Sequence, residues 1–132
     1  MDAFLVDLKN KPGEFARIAE AIAARGVNIT GLSGATCGDS GRVAIVTSDP
    51  AATKEALAGA NCTFTSMEIT QVALADKPGT LAEACRRLAD RGVNIESVMP
   101  IGMSGGEITV AFVTSDPMKA REILSHTGST SA

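Results

Sequence analysis

The chain repeats itself, and the repeat limits what it can fold into. Lys11-Pro12-Gly13 returns 66 residues later as Lys77-Pro78-Gly79. At the same offset, Arg25-Gly26-Val27-Asn28-Ile29 returns as Arg91-Gly92-Val93-Asn94-Ile95. Val46-Thr47-Ser48-Asp49-Pro50 returns as Val113-Thr114-Ser115-Asp116-Pro117, now at an offset of 67. One residue is therefore inserted between the last two blocks, which points to the loop Cys37–Arg42 in the first copy against Gly102–Glu107 in the second. Matched blocks in a fixed order mark a duplication, and they divide the 132 residues into two modules, 1–66 and 67–132.

Both copies carry the same periodicities. Phe4, Val6 and Leu8 alternate with Leu5 and Asp7, and Thr70, Val72 and Leu74 alternate with Gln71 and Ala73. This period of two predicts a strand with Val6/Leu8 and Val72/Leu74 on the core face. Pro-Gly then breaks the strand and opens a helix. Phe15, Ile18, Ala19 and Ile22 form the buried stripe of the first helix, and Leu81, Ala84, Cys85 and Leu88 that of its counterpart. Gly26 and Gly92 follow a basic residue and end the helices. Strands are expected over Val27–Ala35 and Val93–Met103, then over Val43–Thr47 and Ile108–Thr114. Asp49-Pro50 and Asp116-Pro117 supply an N-cap and a first-turn proline for a second helix in each copy. A further strand begins near Cys62–Thr65 and runs almost unbroken into Met67–Ala75.

Strand, helix, strand, strand, helix, strand is the split βαβ plan. The fold class is thus α+β: two tandem ferredoxin-like βαββαβ modules, each an antiparallel sheet with helices on one face. After Pro117 the remaining residues end in His126-Thr127-Gly128-Ser129-Thr130-Ser131-Ala132. They leave the last strand of the second module short or missing, so that the tail is frayed or another strand fills the gap. Modules of about 65 residues have marginal cores, and pairing them would bury more surface and cover exposed sheet edges.

Composition removes several function classes. The net charge is −3 and the longest basic run is Arg86-Arg87, so there is no basic stripe to displace counterions from a nucleic acid. With four Phe and neither Tyr nor Trp, the sheet has little on which to stack bases. No apolar stretch approaches the ~18 residues of a membrane span, and the N-terminus lacks the basic and apolar regions of a signal peptide. The cysteines Cys37, Cys62 and Cys85 are odd in number and widely spaced, which suits reduced thiols in the cytoplasm and apolar filling. His126, the one histidine, reads as a solvated residue of the tail. Metal sites and Ser/His or Cys/His pairs have no constituents without it, and no GxGxxG or GxxxxGK[ST] loop is present. No catalytic residue, metal site or cofactor is expected, and the chain reads as a non-enzyme.

The two repeated loops are the remaining chemistry. Asn10-Lys11-Pro12-Gly13 and Asp76-Lys77-Pro78-Gly79 each lead into a helix N-terminus, whose unpaired N–H groups attract a carboxylate. Asn28 and Asn94 offer an amide donor and acceptor at the start of the neighbouring strand. Together these groups match the carboxylate and ammonium of an α-amino acid, although the same residues also serve as helix starts, helix stops and turns.

A strand, Lys-Pro-Gly, an Ala/Leu-rich helix and Gly-Val-Asn-Ile, met twice at 9–29 and 75–95, resemble the ACT domain family. The resemblance implies ferredoxin-like regulatory modules that bind amino acids where paired domains meet. It implicates Asn10, Lys11, Pro12, Gly13, Glu14, Phe15, Asn28 and Ile29 in the first copy. In the second it implicates Asp76, Lys77, Pro78, Gly79, Thr80, Leu81, Asn94 and Ile95. Glu14 would compete with an incoming carboxylate where Thr80 would not, which favours the second copy; two unequal sites, or one live and one vestigial, both fit. Side chains such as Leu32, Val98 and Met99 would set selectivity. The expectation is a sensor, paired as a homodimer, that binds an amino acid and passes the state to a regulated protein partner, with no nucleic acid and no membrane involved. The alternative is a protein–protein interaction or dimerisation module with degenerate ligand loops.

Overall fold

The computed structural model describes the backbone of residues 1–129 and the side chains of residues 1–125. The chain divides into two compact units, Met1–Met67 and Glu68 onward.

Unit 1 holds β1 (Asp2–Lys9), α1 (Glu14–Ala23), β2 (Ile29–Cys37), β3 (Ser40–Thr47) and α2 (Pro50–Gly59). Its last strand is the start of β4 (Phe64–Ala75), whose later residues open unit 2. The strand expected to run almost unbroken from Cys62–Thr65 into Met67–Ala75 is one element of 12 residues. Unit 2 continues with α3 (Thr80–Asp90), β5 (Ile95–Ser104), β6 (Glu107–Thr114) and α4 (Pro117–Ser129). Strands run in the order β2-β3-β1-β4 in the first unit and β4-β6-β5 in the second. β3 pairs antiparallel with β1 and β2, and β6 with β4 and β5. Among the described residues no strand follows α4, so the described part of unit 2 is βαββα. The side chain of His126 lies outside the described residues, as does the end of the tail.

Alternation gives each sheet its core face. Phe4 and Val6 from β1 meet Val43 and Ile45 from β3, closed over by Ile18 and Ile22 of α1 and Leu57 of α2. Phe4 and Phe64 pack edge-on, ring centres 6.0 Å apart. In unit 2, Val72, Leu74, Val110 and Phe112 pack under Ala84, Leu88, Ala120 and Leu124. Two residues depart from the predicted helical stripe. Phe15 and Leu81 are 38% and 45% exposed, because the first turns of α1 and α3 face open grooves rather than the packed core. Cys62 and Cys85 are half-buried at the core margins, Cys37 is exposed, and all three are free thiols.

β2 and β5 begin two residues later than the expected Val27 and Val93, and each has a bulge near its start, at Ile29/Gly31 and Ile95/Ser97. The inserted residue also sits elsewhere than in the connecting loop. Both hairpins close with two-residue turns, between Cys37 and Ser40 and between Ser104 and Glu107. The second copy takes up its extra residue as another bulge in β5, between Pro100 and Gly102. An edge strand absorbs an added residue by bending locally, whereas a longer loop would disturb the tight turn.

The duplication also exposes a local defect. In unit 1, Thr47 and Thr53 are buried with their hydroxyls 2.6 Å apart, and Thr53 donates to the Asp49 carbonyl at 2.8 Å. The counterparts in unit 2 are Thr114 and Ala120, and the buried Thr114 hydroxyl has no partner among the described residues. A buried hydroxyl without a hydrogen bond is destabilising by about 1–3 kcal/mol. Thr114→Val should therefore stabilise the chain by about 1 kcal/mol, while Thr47→Val should destabilise it by a similar amount. Denaturant midpoints of the two variants check this, and a loss of stability in Thr114→Val would contradict it.

Candidate functional site

Each Lys-Pro-Gly turn reverses the chain between a strand and a helix in very few residues. The Lys11 and Lys77 N–H groups donate back two residues, to Lys9 and Ala75 at 3.0 and 2.9 Å. Gly13 and Gly79 then act as N-caps at φ 88° and 93°, a region closed to most L-residues. Their carbonyls accept the first helical bonds, from Arg17 at 3.0 Å and Glu83 at 2.9 Å. Pro12 and Pro78 sit exposed at the tips. Each turn is tied to the hairpin beside it: Asn10 donates its backbone N–H to Asp39 and its amide to Gly38, both at 2.9 Å, and Asp76 N–H reaches Gly106 at 2.8 Å.

Beside each turn lies an apolar groove. In unit 1 it measures about 320 Å³, between Phe15 on one side and Leu8, Leu32, Gly34 and Val43 of the sheet on the other. In unit 2 it measures about 340 Å³, with Leu81 facing Leu74, Val98, Pro100, Ile108 and Val110, and with Asp76, Lys77 and Thr80 in its lining. Met99, fully buried, also contributes to the wall. Concavities of this size are at the small end of ligand sites. Leu32 and Val98 were legible as pocket-shaping residues, whereas Pro100, Ile108 and Val110 read in the sequence only as strand residues.

Glu14 and Thr80 occupy equivalent positions and behave differently. The Glu14 side chain is 11% exposed and pairs with Arg17 at 3.1 Å. It faces a separate polar hollow of about 490 Å³ lined also by Lys9, Lys11, Asn61 and Cys62. The hydrogen bond from Arg17 holds its carboxyl below the usual range, with the Arg17 charge and the Lys9 backbone adding to this against the opposing effect of burial. Thr80 carries no charge and donates to the Ala75 carbonyl at 2.7 Å and the Lys77 carbonyl at 3.2 Å.

The asparagines are elsewhere. Asn28 N–H donates to Ser48 Oγ at 3.1 Å and its carbonyl accepts from Ser48 N–H at 2.9 Å; Asn94 and Ser115 repeat this at 3.0 and 2.9 Å. These contacts fasten the end of the sheet opposite the hairpins. β2 has nine residues, and at ~3.3 Å each they set Asn28 about 25 Å from the Lys-Pro-Gly turn of its own unit. Within a unit, then, Asn10–Phe15 and Asn28–Ile29 do not meet around one small molecule, nor do Asp76–Leu81 and Asn94–Ile95. Both amide side chains are exposed, while Ile29 and Ile95 pack half-buried against the cores.

Among the described residues no group of His, Cys, Asp or Glu is arranged to hold a metal ion, and no helix is long and apolar enough to cross a membrane. A family model described as an ACT domain pair matches residues 1–128. The chain belongs to that family, and it has the tandem βαββαβ-type fold. A search of curated proteins finds no match. Among solved structures it is similar to a protein from Bacteroides thetaiotaomicron, at 24% identity and TM-score 0.81 over 95% of this chain and 86% of that one. It is also similar to the ligand-free regulatory subunit of aspartate kinase from Thermus thermophilus, at 21% identity and TM-score 0.66 over 96% and 90%. The corresponding subunit from Thermus flavus gives 21% and 0.61 over the same shares.

The Glu14–Arg17 pair makes stability depend on pH. A carboxyl held below its ordinary pKa contributes stability above that ordinary value and loses it as pH falls through the lowered one. The stability difference between the parent chain and Glu14→Gln should therefore shrink as the solution is acidified below about pH 4.5. Denaturant unfolding at a series of pH values measures it; parallel pH profiles would show that the pair has no net effect.

Proposed function

We propose that this chain is a non-catalytic sensor that binds an amino acid and reports it through the pairing of ACT modules. The observation that carries this reading is the repeated arrangement of a helix-opening Lys-Pro-Gly turn beside an apolar groove. The backbone N–H groups of the helix start, joined in unit 2 by Lys77 in the groove lining, suit a carboxylate, and the groove suits a side chain. A ligand that also touches Asn28 or Asn94 takes that amide from a second ACT module, because the two segments of one unit are too far apart. Binding would then favour one pairing of modules, in a homodimer of this chain, and a separate protein partner would read that state. The fold is shared with proteins named as regulatory subunits of aspartate kinase, which agrees with a regulatory role.

A second reading rests on the same side chains. Phe15, Leu32 and Leu81 expose apolar surface, and such surface also suits contact with another protein.

A thermal-shift screen of the purified chain against the common amino acids, followed by calorimetry, separates the two. A ligand at ~100 times its Kd adds about 2.7 kcal/mol to stability, which a small protein registers as several degrees. The expected result is a shift with one amino acid or a related few. Because both asparagine side chains are exposed, Asn28→Ala and Asn94→Ala should leave the unliganded midpoint unchanged, and one of them should weaken binding. Silence across the whole set would remove the sensor reading and leave the interaction module.

A further inference from the structure

The two grooves are built from the same repeat but offer different chemistry at their mouths. In unit 2, Asp76 and Lys77 lie in the groove lining, and both side chains are exposed. Neither makes an ion pair or side-chain hydrogen bond among the described residues. A carboxylate and an ammonium side by side match the ammonium and carboxylate of a zwitterion. In unit 1 the position of Asp76 is taken by Asn10, whose amide is committed to the Gly38 carbonyl. Asn10 and Lys11 are absent from the lining of that groove, and Glu14, paired with Arg17, faces the separate polar hollow.

The walls differ as well. Pro100 stands opposite Leu81 where unit 1 has Gly34, and the bulge that follows Pro100 is the site of the extra residue in the second copy. Beyond the charged mouth, the groove of unit 2 is walled by Leu, Val, Ile, Met and Pro side chains. A polar side chain entering it would give up its water without finding a partner. An aliphatic one gains affinity about four-fold for each methylene buried.

Resting on the sensor reading above, we infer that unit 2 holds the amino-acid site and that its ligand is an α-amino acid with an aliphatic side chain of leucine, isoleucine or methionine size. Asp76 receives the ammonium, Lys77 the carboxylate, and the side chain lies between Leu81 and β5. The groove of unit 1 is not part of this site.

Calorimetry on the full chain tests it, with L-leucine, L-isoleucine and L-methionine set against L-alanine, L-serine, L-threonine and L-lysine. The aliphatic three should bind, with leucine some ~50-fold tighter than alanine. N-acetyl-L-leucine, which lacks the cation, should bind at least tenfold more weakly than leucine. Leu81→Trp, at an exposed position, should fill the groove and weaken leucine at least tenfold, and Asp76→Asn should do the same, while Leu32→Trp in unit 1 leaves binding unchanged. The unliganded melting midpoint of each variant confirms that it is folded. If serine, threonine or lysine binds and the aliphatic three do not, this inference falls and the sensor reading stands. If leucine binding survives Leu81→Trp but is lost in Leu32→Trp, the assignment to unit 2 falls. If no amino acid binds, both readings fall together.

Discussion

The arrangement of helices over each sheet follows from a backbone reversal at one glycine. Gly13 and Gly79 hold φ near 90°, which turns the chain from strand to helix without a longer loop. That reversal fixes where the first turn of α1 or α3 stands over the sheet. Because the turn comes so soon after the strand, Ile18 and Ile22, or Ala84 and Leu88, reach the core, while Phe15 or Leu81 in the first turn overhangs it. The exposure of Phe15 and Leu81, and hence both grooves, is a geometric result of the same turn.

Duplication lets one copy serve as the control for the other. The aliphatic frame is kept between copies, while the polar positions diverge. Thr47 has a partner in Thr53, and Thr114 has none among the described residues. Glu14 is drawn down by Arg17, whereas Thr80 binds backbone carbonyls. These differences gather on the helix-bearing side of the modules. The second copy lacks the buried hydrogen bond of the first and carries a bulge that the first does not, and its charged groove mouth has no counterpart in the first copy.

The fold was legible in the sequence because its signals are local. Alternation in Phe4–Leu8 and Thr70–Leu74, the Ile18/Ile22 and Ala84/Leu88 spacing, and the Asp-Pro helix starts each act within a few residues. The site was less legible because its assembly depends on direction. Lys-Pro-Gly and Gly-Val-Asn-Ile are neighbours in sequence, but the helix between them carries the chain to the far end of the sheet, so nearness in sequence misled. Phe15 and Leu81 fit the helical period and still escape burial, because periodicity reports a face and not whether anything packs against its first turn. The inserted residue could be bracketed by the shift in offset, but no composition signal distinguishes a bulge at Pro100 from a longer turn.

That bulge has a consequence for assembly. β2 and β5 are the outer strands of their units' sheets, and an outer strand is a template on which another chain can add a strand. From Gly31 to Cys37 the ladder of β2 runs without interruption. In β5 it is broken between Pro100 and Gly102, and Pro100 brings no N–H to either side. The two copies are therefore unequal as templates for strand addition: β2 is open to it, and β5 is protected by the residue that the second copy gained.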